Sequence, residues 1–164
     1  MNINITSVRF NQNNNGFITV QINNSAEPLT VEMLEILSKF ASENIKITTI
    51  LSYAKTNFSK DIIKKGKELF GDKFSAITKY MSQKEYAEHL RNVDILVLNQ
   101  NRQQGVGNIR CCLYLGNKVF IKKEITTYKG FEDKGFIVFD TNEINSMDFK
   151  TFTDMKETDK ETNK

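Results

Sequence analysis

The chain is poor in the residues that make metal and nucleophile chemistry. Its 164 residues include one histidine, His89, and two cysteines, Cys111 and Cys112. A single histidine gives no ligand cluster with zinc spacing, and no Ser/His/Asp pattern stands out. Neither a metal nor a cofactor is therefore expected. His89 lies in Tyr86-Ala87-Glu88-His89-Leu90 and reads as a surface helix residue rather than a catalytic one. The cysteines are adjacent inside a predicted helix, where neighbouring side chains diverge and form no ordinary bridge. No secreted disulfide framework is present, which fits a reducing cytosol. The N-terminus lacks a signal-peptide pattern, and no apolar run approaches the ~20 residues of a membrane span.

Charge of one sign is also weak. The net charge is +3 and the pI about 8.8, and the lysines are not interleaved with exposed aromatics, so nucleic acid is not expected as a partner. The densest basic stretch, 55–79, holds seven lysines against three acids. It reads as a solvated helix face, with contact to an anionic membrane surface or substrate as the alternative.

What is present is enough for one folded domain: 39% hydrophobic residues and 12 phenylalanines. Residues 1–16 are Asn-rich and weakly patterned, a lead-in or edge segment. Strands are predicted at 17–22, 45–51, 74–77, 94–98, 118–121 and 136–139. Helices are predicted at 29–41, 60–70, 82–91 and 104–115. The first carries an apolar stripe at helical spacing (Leu29, Met33, Leu34, Ile36, Leu37, Phe40). Gly71 and Gly116 are placed as helix-closing residues, and Ser82 with Glu85 reads as a capping box. The 122–135 segment reads as a loop or one short helical turn. The domain is bounded at 17–141. The extension 142–164 loses its pattern, and 154–164 is expected to be disordered or helical only by contact.

Alternation of strands and helices predicts an α/β fold with a doubly wound parallel sheet. In the usual order, 3-2-1-4-5-6, strands 1 and 4 are neighbours, and ligands bind outside their carboxyl ends. Two polar loops fall there. One is Asn23-Asn24-Ser25, whose short side chains suit a phosphate or sugar hydroxyl but also a plain turn. The other runs from Asn99 into Arg102-Gln103-Gln104-Gly105-Val106-Gly107-Asn108. A helix start offers free N–H groups, glycines admit close approach, and an arginine adds a fork of donors, so this loop is the candidate diphosphate site. Its plainer reading is a capped helix start with a surface arginine.

Further candidates line the same edge. Lys79, Tyr80 and Met81 follow strand 3 and could hold a nucleobase, the plainer reading being a core aromatic beneath a loop. Lys122, Lys123, Glu124 and Tyr128 follow strand 5 and could meet phosphate or sugar, or form an ordinary polar loop. Tyr53, after strand 2, is a weaker candidate.

RQQGVGN at 102–108, followed by LYLG at 113–116, resembles the family 56 glycosyltransferases, whose run reads approximately RQQGIGT. VQINNSA at 20–26 is similar to the family's strand ending in Gly-Asn-Ser, with Asn24 and Ser25 matching. SYAKTN at 52–57 and EYAEHLRNVDILV at 85–97 follow in the expected order. Those bacterial enzymes transfer 4-acetamido-4,6-dideoxygalactose from a dTDP donor to a polyprenyl-diphosphate-linked glycan, in enterobacterial common antigen. The resemblance covers about residues 17–140. It implies the Rossmann-like, nucleotide-sugar-binding C-terminal half of a two-domain GT-B enzyme, which would be cytoplasmic or peripheral at the inner membrane face. The acceptor domain and the catalytic base would belong to a missing N-terminal half, so the catalytic residues are unknown and the isolated chain would be inactive. The other readings are a non-catalytic nucleotide-binding module and a partner subunit of a split glycosyltransferase. Three positions depart from the family pattern. Asn23 stands for its glycine, Leu29-Thr30-Val31-Glu32 for an Asn-Asn-His stretch, and Cys111 for the ribose-binding glutamate of wider relatives.

Overall fold

A computed structural model describes residues 16–23, 27–52, 56–101 and 106–164. The strands are β1 Ile18–Ile22, β2 Ile45–Ile50, β3 Phe74–Ile77, β4 Ile95–Leu98, β5 Lys118–Ile121 and β6 Phe139–Asp140. The helices are α1 Glu27–Leu37, α2 Thr56–Phe70, α3 Gln83–Leu90, α4 Val106–Tyr114, α5 Thr126–Asp133, α6 Phe149–Thr153 and α7 Glu157–Thr162. The six strands form one sheet in the order β3-β2-β1-β4-β5-β6, and every pairing is parallel. This is the α/β, Rossmann-like arrangement that the alternating pattern predicts.

Burial on both faces explains the continuous apolar strands, since β4 (Ile-Leu-Val-Leu) and β5 are buried throughout. Strand residues alternate between the faces. Ile18, Val20 and Ile22 join Met33, Leu34 and Leu37 of α1 and Ile62 of α2 in one core. Leu96 and Leu98 join Leu90 of α3, Ile109, Cys112 and Leu113 of α4 and Phe131 of α5 in the other. Burial pushes the Cys112 thiol up to about 12, so it packs as a small apolar side chain. On the first face α2 lies close to the sheet: a β-carbon at Gly66 would fall 2.4 Å from the Phe74 ring.

The punctuation of the sequence operates as read. Gly71 and Gly116 have positive φ, +59° and +79°, a region cheap only for glycine. At the end of α4, Gly116 N–H donates to the Leu113 carbonyl and Asn117 N–H to Cys112, the two bonds of a Schellman close. Ser82 and Glu85 form the reciprocal capping box of α3.

Three expectations need correction. Residues 122–135 are not a loop, because Thr126–Asp133 form the eight-residue helix α5. Its buried face is Thr127 and Phe131, one turn apart, and its Thr and Gly residues give little intrinsic helix signal. The last strand does not span 136–139: only Phe139 and Asp140 pair with β5, at Phe120 and Ile121. Phe136 instead turns edge-on to Phe131, with centroids 5.5 Å apart. Ile137 exchanges both its backbone bonds with the buried Asn163 amide, at 2.7 and 3.0 Å. The second helix begins at Thr56, four residues before the expected start.

Near the end of the chain Glu157–Thr162 form α7, with Lys160 and Asn163 buried, and the preceding α6 packs through Phe152. Phe152 stacks on Phe40 and Phe120 at 5.2 and 5.4 Å. The buried Lys118 ammonium donates to the carbonyls of Thr151 and Asp154 at 2.8 and 2.7 Å, and desolvation lowers its pKa to about 8. No described helix is long and apolar enough to cross a membrane.

Candidate functional site at the carboxyl edge of the sheet

β1 and β4 are hydrogen-bonded neighbours, with Val20, Gln21 and Ile22 beside Ile95, Leu96 and Val97. Their ladder gains a last rung where Asn23 N–H donates to the Val97 carbonyl at 2.9 Å. The following helices pack in opposite cores, α1 in the first and α4 in the second. The chain therefore diverges above this rung, leaving the crevice characteristic of a switch point.

Several polar side chains lie just past the carboxyl ends of β4 and β5. Asn99 and Gln100 are each 3% exposed. Asn99 Nδ2 donates to the Leu29 carbonyl at 3.1 Å and lies 3.4 Å from Glu32 Oε2, tying the end of β4 to the first turns of α1. Lys122, after β5, donates to Asn101 Oδ1 at 2.8 Å, which brings its positive charge beside the start of the candidate diphosphate loop.

Of that loop, Arg102, Gln103, Gln104 and Gly105 lie outside the described residues, as do Asn24 and Ser25 after β1 and Tyr53 after β2. Gly107 and Asn108 form the first turn of α4, exposed and half-buried respectively. Gly107 does not have positive φ. A β-carbon placed on it meets nothing within 4 Å. Neither backbone geometry nor packing among the described residues asks for glycine there.

Of the candidates after β5, Lys122 bonds to Asn101, whereas Lys123, Glu124 and Tyr128 find their partners around β6. The exposed Glu124 accepts from Asn142 Nδ2, at 2.7 and 2.8 Å to its two oxygens. Its own backbone N–H and then Asn142 lower its pKa. Lys123 is exposed, and its N–H reaches Asp140 Oδ1 at 3.2 Å. Tyr128 is half-buried against the second core, with its hydroxyl 3.4 Å from the Val138 carbonyl, beside β6. Lys79, Tyr80 and Met81 follow β3 on the other side. Ser52 Oγ donates to the Lys79 carbonyl at 2.8 Å, joining the ends of β2 and β3. Tyr80 is 73% exposed, so the reading of it as a core aromatic is overturned. Met81 is half-buried.

His89 is also corrected. It is half-buried, and its Nε2 lies 2.6 Å from Oε1 of the fully buried Gln21. Gln21 Nε2 donates to the Tyr86 hydroxyl at 3.0 Å. Burial lowers the His89 pKa, favouring the neutral ring. The signal for this cluster is a glutamine inside Ile-Thr-Val-Gln-Ile, a strand with both faces covered: a buried amide needs partners.

The comparisons with known proteins agree with this architecture. The family model described as 4-alpha-L-fucosyltransferase, glycosyl transferase group 56, matches residues 1–162. The chain belongs to glycosyltransferase family 56. Among solved structures it is similar to the C-terminal domain of the group 1 glycosyltransferase LpcC from Francisella tularensis. That match has 17% identity and a TM-score of 0.54, and covers 65% of this chain and 58% of that one. It is also similar to the N-terminal domain of Candida albicans trehalose-6-phosphate phosphatase, at 12% identity and TM-score 0.65, covering 93% and 38%. A third neighbour is the UDP-GlcNAc 2-epimerase of Neisseria meningitidis, bound to UDP-GlcNAc, at 14% identity and TM-score 0.56, covering 79% and 34%. At these identities the likeness is one of fold, and the family 56 chain spans less than two thirds of each neighbour. No curated protein sequence matches it significantly.

Proposed function

We propose that this family 56 chain binds the nucleotide-sugar donor of a glycosyl transfer in the crevice above β1 and β4. The observation that carries the reading is the divergence of α1 and α4 above the Asn23–Val97 rung, with an uncrowded, exposed glycine in the first turn of α4. Glycine in an exposed helix costs ~0.5–1 kcal/mol against alanine. A diphosphate lying against the backbone would account for it, because a methyl group there would obstruct the approach.

In this reading Arg102, Gln103, Gln104, Gly105, Gly107 and Asn108 hold the donor diphosphate, with Lys122 close by. Asn24 and Ser25 meet phosphate or sugar. The Lys79–Met81 segment offers the exposed Tyr80 ring to a base. Glu124 and Tyr128 serve the sugar side only if the donor reaches past β5. When the glycosidic C–O bond breaks, its electron pair goes to the diphosphate. Donors already aimed at that group lower the barrier. The acceptor hydroxyl loses its proton to a base supplied by an N-terminal acceptor domain.

The donor is of the dTDP-sugar type, with a deoxy-amino or fucose-like sugar. The acceptor is a lipid-linked glycan of cell-surface polysaccharide synthesis, which places the working enzyme at the inner membrane face. The test is calorimetric titration with dTDP, UDP and GDP, repeated with Arg102→Ala. Saturable binding of one nucleotide, weakened about ten- to a hundredfold by the substitution, is expected for a lost charged contact. A folded parent chain that binds none of the three would overturn the reading.

A further inference from the structure

The polar run that follows β4 is tied to two groups of opposite charge. Asn99 Nδ2 donates to the Leu29 carbonyl at 3.1 Å and lies 3.4 Å from Glu32 Oε2, which brings a carboxylate of α1 to one side of the run. Two residues on, Asn101 Oδ1 accepts from Lys122 Nζ at 2.8 Å, which brings an ammonium from the segment after β5 to the other. Two residues of chain span at most ~7 Å. A carboxylate and an ammonium therefore flank the end of β4, each beside its own asparagine. Glu32 is exposed and Lys122 half-buried.

The two charges are not spent on other side chains. Among the described residues neither Glu32 nor Lys122 is in an ion pair. Glu124 feels Lys122 only as the smallest of the influences on its carboxyl. Asn101 is a neutral acceptor, and an ammonium has three N–H donors. One goes to Asn101, leaving two donors and the whole positive charge for a partner. A lysine that is already held loses less rotamer freedom on meeting that partner than a free one does. Because β4 and β5 are parallel neighbours, the segment after β5 and the start of α4 lie at the same edge of the sheet. The α4 start carries partial positive charge of its own.

Resting on the donor-site reading above, we propose that Lys122, held by Asn101, is a ligand of the donor diphosphate and that Glu32 keeps the diphosphate off the α1 side, so that the two charges fix which way round the donor lies. The diphosphate takes the side of Lys122 and the α4 start. An uncharged, hydroxyl-bearing part of the donor takes the side of Glu32, because a carboxylate repels phosphate oxygens and accepts from hydroxyls. Asn101 is a positioning residue that acts through Lys122.

The test uses calorimetry with dTDP, UDP and GDP at low and high salt, and NMR titration with the matching nucleosides. Lys122→Met keeps an unbranched side chain and removes the charge. It should weaken whichever diphosphate the parent binds about ten- to a hundredfold, the loss of a charged hydrogen bond, and leave nucleoside binding as it was. Lys122→Arg should keep most of the affinity. Asn101→Ala should cost about three- to fivefold in the parent and nothing further in Lys122→Met. A merely structural asparagine would cost the same in both. Glu32→Gln should tighten the diphosphate, most at low salt, where a like charge is least screened.

Unchanged diphosphate affinity in Lys122→Met, or an equal loss for the nucleoside, would overturn the assignment of Lys122 and leave the donor site standing. Weaker diphosphate binding in Glu32→Gln would overturn the proposed orientation. If the folded parent binds none of the three diphosphates, the donor reading itself falls and the assignment with it.

Discussion

Asp94 is a carboxylate sealed under the amino edge of the sheet. It is 5% exposed, and accepts from Thr19 N–H at 2.8 Å. Burial raises its pKa to about 6 from an ordinary 3.8, against the smaller opposing effects of the Thr19 bond and Lys160. Between those values the folded chain binds more protons than the unfolded one, so this group makes stability fall as pH rises from about 4 to about 6. Thermal melts across that range should show the decline, and Asp94→Asn should remove its share, since the asparagine oxygen still accepts from Thr19. A slope unchanged by the substitution would count against the assignment. At the same scale, the sequence was readable where a residue acts alone, as at Gly71, Gly116 and the Ser82–Glu85 box. It was unreadable for His89, because burial and the Gln21 partner 68 positions away are properties of the assembled sheet.

Among the elements, the segment after β6 depends most on its neighbours. Thr141 Oγ1 donates to the Leu98 carbonyl at 2.9 Å, and Lys39 Nζ donates to the carbonyls of Ile144 and Asn145 at 2.8 and 2.9 Å. Phe152 inserts between Phe40 and Phe120. Truncating a fully buried phenylalanine costs about 3–5 kcal/mol. Phe152→Ala should lower denaturant stability by that order, and hydrogen exchange should rise first in α6 and α7. Uniform exchange across the sheet and this segment alike would instead mean that the segment opens only with the whole domain. The same dependence explains why α5, α6 and α7 were hard to read. Each is eight residues or fewer, below the length at which a helix persists by propensity. The long amphipathic α1 and α2 and the apolar β4 carried their pattern locally and were legible within a few residues.

For the whole molecule, parallel pairing in the order β3-β2-β1-β4-β5-β6 is what places Asn23, Asn99 to Asn101 and the start of α4 at one crevice. That order is the usual doubly wound one, expected from strand–helix alternation. What the sequence could not decide is which polar loops on the carboxyl edge share the crevice. Lys122 reaches Asn101 there, whereas Tyr128 turns to Val138 beside β6; strand periodicity is the same for both. The central claim is that this crevice receives the donor diphosphate. Backbone amide chemical-shift mapping during titration with dTDP and UDP tests it most directly. The account predicts saturable shifts concentrated at Asn23, Asn99 to Asn101 and Val106 to Asn108. Shifts confined to the amino edge around Asp94 and Lys118, or to the exposed lysines of α2, would contradict it.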